Sequence, residues 1–291
     1  MNKFILIIVF LGLIISCKKR QPEPLVMPGD STSSGTRIQK LIIESGTPNT
    51  SSVTYIPNYN ASGQISSITI IDSTNEGIAE NTTTLLYTNG YLTQRLRGNI
   101  KEVFTYNSSN RILNYELDSG SASESEYAVL NVYSFTYNGS GQMISVSNSR
   151  DVNTGDSLII TNSSSNIRNA KGTAPDTANC SNYYDFIINP DSTFIYIYEQ
   201  LCVTGQVSGK YSQLKNTIPS VLWDEITQKP NGLRFTTGYL DLIFKDMEPN
   251  YFIVESTGYT YQYITDSYGR LEKIIENNSS GINSRTFTFY Y

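Results

Sequence analysis

The residues able to do chemistry in this chain are few. It has no histidine, 3 cysteines, 22 tyrosines, and 21 lysines and arginines against 26 aspartates and glutamates. Without imidazole there is no Ser-His-Asp triad, no Cys-His pair and no HExxH zinc site. No GxSxG elbow, GxGxxG fingerprint or phosphate-binding loop is present either. Ser212-Gln213-Leu214-Lys215 has SxxK spacing but lacks the helix start and KTG strand that give it meaning. Asp151-Val152-Asn153-Thr154-Gly155-Asp156 has the first ligands of a calcium loop. Its glycine falls one place early and Asn162 stands where a bidentate glutamate belongs, so it reads as a turn. Carboxylates remain for acid–base work. Asp224, Glu225, Asp241, Asp246 and Glu248 are candidates for a glycosidase pair, which needs two carboxyl groups held a set distance apart. Surface solvation is the default for each of them. No cofactor or metal is expected, and the chain reads as a non-enzyme. A net charge of −5 argues against nucleic acid, whose phosphates demand clustered Lys and Arg.

The cysteines carry the address. Lys3 followed by the apolar run Phe4–Ile15 has the form of a targeting segment, too short to cross a bilayer comfortably. Ile14-Ile15-Ser16-Cys17 resembles the bacterial lipobox. That resemblance implies residues 1–16 as a cleaved signal and lipidation of Cys17. The membrane is then a partner through the anchor, in the cell envelope of a Gram-negative bacterium, at the outer membrane. An ordinary secretory signal is the alternative. Residues 17–36 begin with Lys18-Lys19-Arg20, continue rich in Pro, Ser and Gly, and read as a flexible tether. Setting Cys17 aside leaves Cys180 and Cys202, an even number in an oxidising compartment. They flank the hairpin Tyr183–Glu199 and are expected to pair as a disulfide, with two buried free thiols as the competing reading.

The tyrosines fall in rows of period two. Tyr133, Phe135 and Tyr137 share one face of a strand, as do Tyr259, Tyr261 and Tyr263, and Phe287, Phe289 and Tyr291. Such rows form the packed face of a sheet, the favoured reading. In an open concave face, Tyr133, Tyr137, Tyr259, Tyr261 and Tyr263 would instead be a stacking platform for a glycan or peptide. Phe194, Tyr196 and Tyr198 alternate with Ile195 and Ile197, which predicts a strand buried on both faces.

These rows belong to one recurring phrase. Aligned on the turn, it reads Tyr59-NASG-QISSI, Tyr106-NSSN-RILNY, Tyr137-NGSG-QMISV and Thr265-DSYG-RLEKI, with a shorter copy Tyr87-TNG-YLTQRL. Gly or Asn (Gly63, Asn110, Gly141, Gly269) closes each hairpin, and an apolar residue two places later sets the register. Half copies stand at the two ends, Arg37–Leu41 as an outgoing strand and Thr286–Tyr291 as an incoming one. The phrase resembles the YD (Rhs-type) repeat over roughly 37–150 and 259–291, with Asn usually standing where that repeat prefers Asp. It is also similar to YD-like bacterial lipoproteins of unknown function. That resemblance implies a long antiparallel sheet curled like part of a porin wall.

Residues 172–258 differ in texture and loosely resemble the lipocalin-like domains of bacterial lipoproteins, through Cys, hairpin, Cys and Gly209-Lys210-Tyr211. They are a possible disulfide-stapled insert. Within them, Pro219 and the spacing of Val221, Leu222, Trp223 and Ile226 predict one short helix near 217–229, plugging the open end or concave side of the sheet. Leu233–Phe244 reads as a strand. The fold expected is therefore all-β: a long antiparallel meander over 37–291 curled into an open barrel or half-barrel. The function expected is non-catalytic binding or scaffolding of a glycan, peptide or partner protein. Its rivals are an integral outer-membrane barrel, suggested by the aromatic C-terminal strand, and a carboxylate-dependent glycoside hydrolase.

Overall fold

The structure is a computed structural model and describes residues 37–45, 51–120, 127–148, 158–164, 167–175, 181–200, 203–227 and 251–291. Cys17, Cys180, Cys202, Asp241, Asp246, Glu248, the Asp151–Asp156 stretch and the strand expected at Leu233–Phe244 lie outside the described residues. The first strands are β1 (Lys40–Ser45), β2 (Ser51–Tyr59), β3 (Ile65–Thr74), β4 (Gly77–Thr88), β5 (Tyr91–Arg97) and β6 (Ile100–Tyr106). Next come β7 (Ile112–Gly120), β8 (Tyr127–Tyr137), β9 (Met143–Asn148), β10 (Leu158–Ser164), β11 (Ile167–Pro175) and β12 (Ser181–Ile188). After β13 (Thr193–Gln200) and β14 (Val203–Lys215) stands the helix α1 (Ser220–Thr227). The chain ends with β15 (Tyr251–Ser256), β16 (Tyr259–Thr265), β17 (Leu271–Asn278) and β18 (Asn283–Tyr290).

The repeated phrase folds as one turn used again and again. Gly63, Asn110, Gly141 and Gly269 have φ of 84°, 59°, 80° and 77°, the left-handed conformation that Gly and Asn reach most cheaply. The residue after each Tyr or Thr closes the turn with its own side chain. Asn138 Oδ1 accepts the amides of Ser140 (3.1 Å) and Gln142 (2.9 Å), and Asp266 Oδ1 accepts those of Tyr268 and Arg270 (both 2.9 Å). Asn and Asp do this equally, so Asn in the repeat costs the turn nothing. Two copies that the alignment passed over share the backbone bonds: Asn189–Thr193, with Ser192 at φ 67°, and Asn278–Ile282, with Gly281 at φ 74°.

A bulge beside each turn changes the period of the outgoing strand. Buried positions there fall three apart, at Ile38 and Leu41, Ile65 and Ile68, Ile112 and Tyr115, Met143 and Val146, and Leu271 and Ile274. Neighbouring copies interlock. The hydroxyls of Tyr59, Tyr106, Tyr137 and Tyr291 donate to the carbonyls of Ile38 (2.9 Å), Leu92 (2.7 Å), Ile112 (2.8 Å) and Leu271 (3.0 Å), the first apolar residue of the copy before. Arg37, Arg111 and Arg270 lie over the rings of Tyr59, Tyr137 and Tyr291 at 5.2, 5.6 and 4.5 Å.

Every strand pairs antiparallel with the next, and β18 returns to β1, giving an 18-stranded ring. The all-β meander is as expected, but the barrel is closed where an open or half-barrel was expected. The two half copies are complementary and zip together, Phe289 opposite Leu41 and Phe287 opposite Ile43. The described strands of 172–258 are members of the same ring, β12 between β11 and β13 and β14 between β13 and β15.

The inner face is filled with side chains. Leu41, Ile68, Phe104, Phe186, Phe194, Ile274 and Phe287 are all essentially buried. Outward positions such as Asn58, Thr105, Thr136, Ser147, Thr161 and Glu272 are exposed and polar. The expected burial of β13 on both faces holds only in part: Phe194 and Tyr196 are buried inside, while Ile195 and Ile197 are half-buried outside.

Candidate functional site

One inward position breaks the repeat. Where the other copies bury Ile68, Tyr115, Val146 or Ile274, the copy on β5 buries Arg95, which is only 5% exposed. A buried guanidinium must find anions, because its desolvation is otherwise prohibitive. It finds them on β6 and on α1. Arg95 Nη2 donates to Asp224 Oδ2 at 3.2 Å, Nη1 lies 3.4 Å from Glu102 Oε2, and Nε lies 4.0 Å from Glu225 Oε1. Arg97, two residues along the same strand, reaches Glu225 Oε2 at 3.6 Å. Tyr115 donates to Glu102 Oε1 at 2.8 Å.

Helix α1 supplies two of these carboxylates from inside the ring. The predicted span of 217–229 has Ser220–Thr227 helical among its described residues, starting directly after Pro219. Residues 221–226 are buried on every side. Val221, Leu222 and Ile226 pack into the core cluster, and Trp223 meets Phe252 edge-on at 5.8 Å. Phe252 in turn stacks on Tyr263 at 4.7 Å. The helix fills the interior by apolar contact and presents Asp224 and Glu225 to β5.

The electrostatics follow from burial. Burial works against the Arg95 charge, but Glu102, Asp224 and Glu225 outweigh it and hold the guanidinium more firmly protonated than usual. Burial pushes the Glu225 carboxyl above the usual carboxylate range, against the pull of Arg95 and Arg97. Burial, then Glu102, raises Tyr115, and Tyr55 is pushed up to about 12 by burial and then by Glu225 and Asp72. Both Glu225 oxygens, Arg95 Nε and Thr83 Oγ1 are buried with no hydrogen-bond partner among the described residues. Thr83 lies directly across the ladder from Arg97. Arg97 is the member that reaches solvent, its side chain 36% exposed against 0% for Glu225.

The glycosidase candidates Asp224 and Glu225 thus do converge, together with Glu102, but on an arginine. Asp224 and Glu225 are buried, and Asp224 and Glu102 are engaged by Arg95. The five platform tyrosines do not make a platform. Tyr133 and Tyr261 are buried in the core and Tyr263 is stacked on Phe252. Tyr137 is half-buried with its hydroxyl on Ile112, and of the five only Tyr259 is exposed. Their rows face inward because the ring closes, which turns a concave sheet into a core. Among the described residues no group of His, Cys, Asp and Glu could hold a metal, and no helix is long and apolar enough to cross a membrane. A shallow surface cleft of 380 Å³ beside Gly209, Lys210 and Glu255 carries no comparable cluster.

No protein-family model and no curated protein matches this chain. Solved structures that do match include a porin-like protein from Bacteroides uniformis ATCC 8492, with TM-score 0.47 and 14% identity over 88% of this chain and 98% of that one. A porin-like protein from Bacteroides vulgatus ATCC 8482 matches with TM-score 0.42 and 8% identity, again over 88% and 98%. Likeness at this level carries no inference of function.

Proposed function

We propose that this chain is a lipid-anchored protein of a Gram-negative cell envelope, acylated at Cys17, whose barrel binds or scaffolds a glycan, peptide or partner protein without catalysis. The observation that carries this reading is the sidedness of the wall. A transmembrane barrel turns an apolar band to lipid and keeps polar residues within. Here Ile, Leu, Phe and Tyr face mostly inward, and the exposed Ile78, Leu86, Leu113, Leu130, Ile144 and Ile159 are interspersed with Thr105, Thr136, Ser147 and Thr161. A body built this way is stable in water, so membrane attachment has to come from elsewhere in the chain. The lipobox at Cys17 and the tether over 17–36 supply it.

Residue 37 and Tyr291 both sit on the rim that carries the repeat turns, where the Gln39 amide donates to the Tyr290 carbonyl at 2.8 Å. In the same compartment Cys180 and Cys202 are read as a disulfide, and thiol titration of the denatured, unreduced protein tests that pairing.

The decisive experiment is metabolic labelling of the full chain with palmitate, with fractionation, beside fractionation of a chain that begins at Gln21 and so lacks both the signal and Cys17. The reading expects labelled, membrane-bound protein for the first and detergent-independent soluble protein for the second. A chain from Gln21 that needs detergent would favour the integral barrel instead. The binding half is tested by melting temperature against neutral and acidic oligosaccharides and cell-wall peptides. Saturating ligand at about a hundred times its Kd should add about 2.7 kcal/mol.

A further inference from the structure

Four buried polar atoms without a hydrogen-bond partner among the described residues, both Glu225 oxygens, Arg95 Nε and Thr83 Oγ1, gather at one place, and such a cluster calls for an explanation. Glu225 brings a carboxylate to two arginines yet makes no hydrogen bond with either, at 4.0 and 3.6 Å. Guanidinium and carboxylate normally meet in bidentate pairs at about 2.8 Å. A buried ion pair without such bonds does not repay its desolvation. Arg95 Nε is left without an acceptor, and Arg97, with no acceptor in hydrogen-bond range among the described residues, extends toward solvent. Arg95 and Arg97 lie on one face of β5, Arg95 at a place where the other copies put Ile68, Tyr115, Val146 or Ile274.

We propose that Arg95 and Arg97 form a binding site for a carboxylate-bearing ligand, which α1 occupies as a built-in substitute through Asp224 and Glu225. This inference rests on the binding reading above and gives that reading a ligand chemistry. Planar forked donors select planar forked acceptors, so a uronic-acid sugar or an acidic peptide fits better than a neutral sugar. The ligand meets Arg97 first, since that is the exposed member, and pairs with Arg95 as Glu225 leaves. What holds α1 in place is apolar contact through Val221, Leu222, Trp223 and Ile226 rather than the quality of its ion pairs. Glu225 itself holds the two arginines only loosely, and a better-bonded carboxylate can compete with it for them.

The molecule contains its own reporter. Trp223 is the sole tryptophan of the chain, lies between the two acidic neighbours' turn and Phe252, and is buried. Titrating the full-length protein with tetraglutamate should shift Trp223 emission to the red and raise its quenching by acrylamide, saturably. Tetraglutamine, or sodium chloride at matched ionic strength, should do neither. Glu225→Gln weakens the substitute and should tighten tetraglutamate binding about tenfold, by raising the fraction of open sites. Arg97→Gln, on the exposed side of the cluster, should abolish the response while leaving far-ultraviolet circular dichroism unchanged. Unmoved Trp223 emission with tetraglutamate, in wild type and Glu225→Gln alike, overturns the proposal, as does an equal response to salt. If a neutral oligosaccharide raises the melting temperature while carboxylates leave Trp223 unmoved, the binding reading stands and this inference falls.

Discussion

Replacing Arg95 by leucine restores the repeat to its own pattern and should nevertheless damage the protein. In every other full copy an apolar or aromatic residue at that slot is buried against the core, as Ile68 and Ile274 are. In Arg95→Leu the three carboxylates of Glu102, Asp224 and Glu225 keep their burial and lose their main cation. Removing one partner of a buried pair costs about 3–5 kcal/mol. In a barrel of this size each kcal/mol moves the melting temperature by about 2–4 °C, so the loss is about 6–20 °C at pH 7.5. Acid should rescue the variant, because carboxyl groups stripped of their cation can become neutral instead. The gap from wild type should shrink by half or more at pH 5. Adding Glu102→Gln, Asp224→Leu and Glu225→Leu to Arg95→Leu should recover most of the loss, since no carboxylate of the cluster is then left buried without its cation. Differential scanning fluorimetry at the two pH values measures all of this. A melting temperature for Arg95→Leu within about 2 °C of wild type at pH 7.5 would refute the argument. So would an equal loss at both pH values.

Other outcomes follow from the same geometry. Folded Glu225 holds its proton to higher pH than the unfolded side chain, near 4.3, so its contribution to stability is present in acid and lost as pH rises through the folded value. Glu225→Gln should therefore flatten the decline in melting temperature that wild type shows above pH 4.3. Tyr55, at about 12, and Tyr106, Tyr196 and Tyr263, also raised by burial, keep their protons when folded. Their stabilising share is lost as pH climbs from about 10, so absorbance at alkaline pH should show these four ionising only with unfolding. Gly141→Ala meets both a left-handed φ of 80° and the Arg111 guanidinium, 1.8 Å from where its Cβ would stand. Gly269→Ala, at φ 77° in open space, carries the backbone strain alone, about 1–2 kcal/mol. Gly141→Ala should exceed it by about 0.5–1 kcal/mol in urea titration, the worth of the Arg111–Tyr137 stack.

Much of the fold was legible because its signal is local. Asn138, Gly141 and Met143 state the turn, the left-handed residue and the register within six places of Tyr137, and the structure forms all three as read. The copy at Asn278–Gly281 has Asn, Ser, Ser and Gly in the same order but is preceded by Asn277, where the aligned copies carry Tyr or Thr. The site was illegible for the opposite reason. Arg95 and Asp224 are 129 residues apart, and nothing in either neighbourhood names the other. One clue was on the page: Tyr87-TNG-YLTQRL puts an arginine where its sister copies put Ile, Tyr or Val. A charge in an apolar slot of a repeat announces a buried partner, though not which one. The tyrosine platform failed on the same missing fact, since whether an aromatic row is surface or core depends on closure, which no single hairpin encodes.

Closure itself can be argued from register, and that leads to a last prediction. In an intact hairpin the residue two before Tyr137, Phe135, faces Val146, and the pattern repeats with Phe104 opposite Tyr115 and Pro57 opposite Ile68. At the seam Phe289, two before Tyr291, faces Leu41, three after Ile38. Arg37 and Tyr291 therefore flank β1 and β18 in the register that a hairpin turn would join. Joining Tyr291 to Arg37 through Asn-Gly-Ser-Gly supplies that turn, and new ends can be opened between Gly98 and Asn99 on the opposite rim. A loop that short adds little closure cost beyond what the paired strands already meet, so the permuted barrel should fold with stability within about 1 kcal/mol of the parent. Strand pairing at the seam should then survive to the same denaturant concentration as the rest of the barrel, as read by amide exchange on β1 and β18. In the parent, whose ends are free to fray, those amides should exchange ahead of the β16–β17 hairpin. If the permuted chain fails to fold, or if β1 and β18 in the parent are already as protected as β16 and β17, the seam is not a split repeat held only by its ladder.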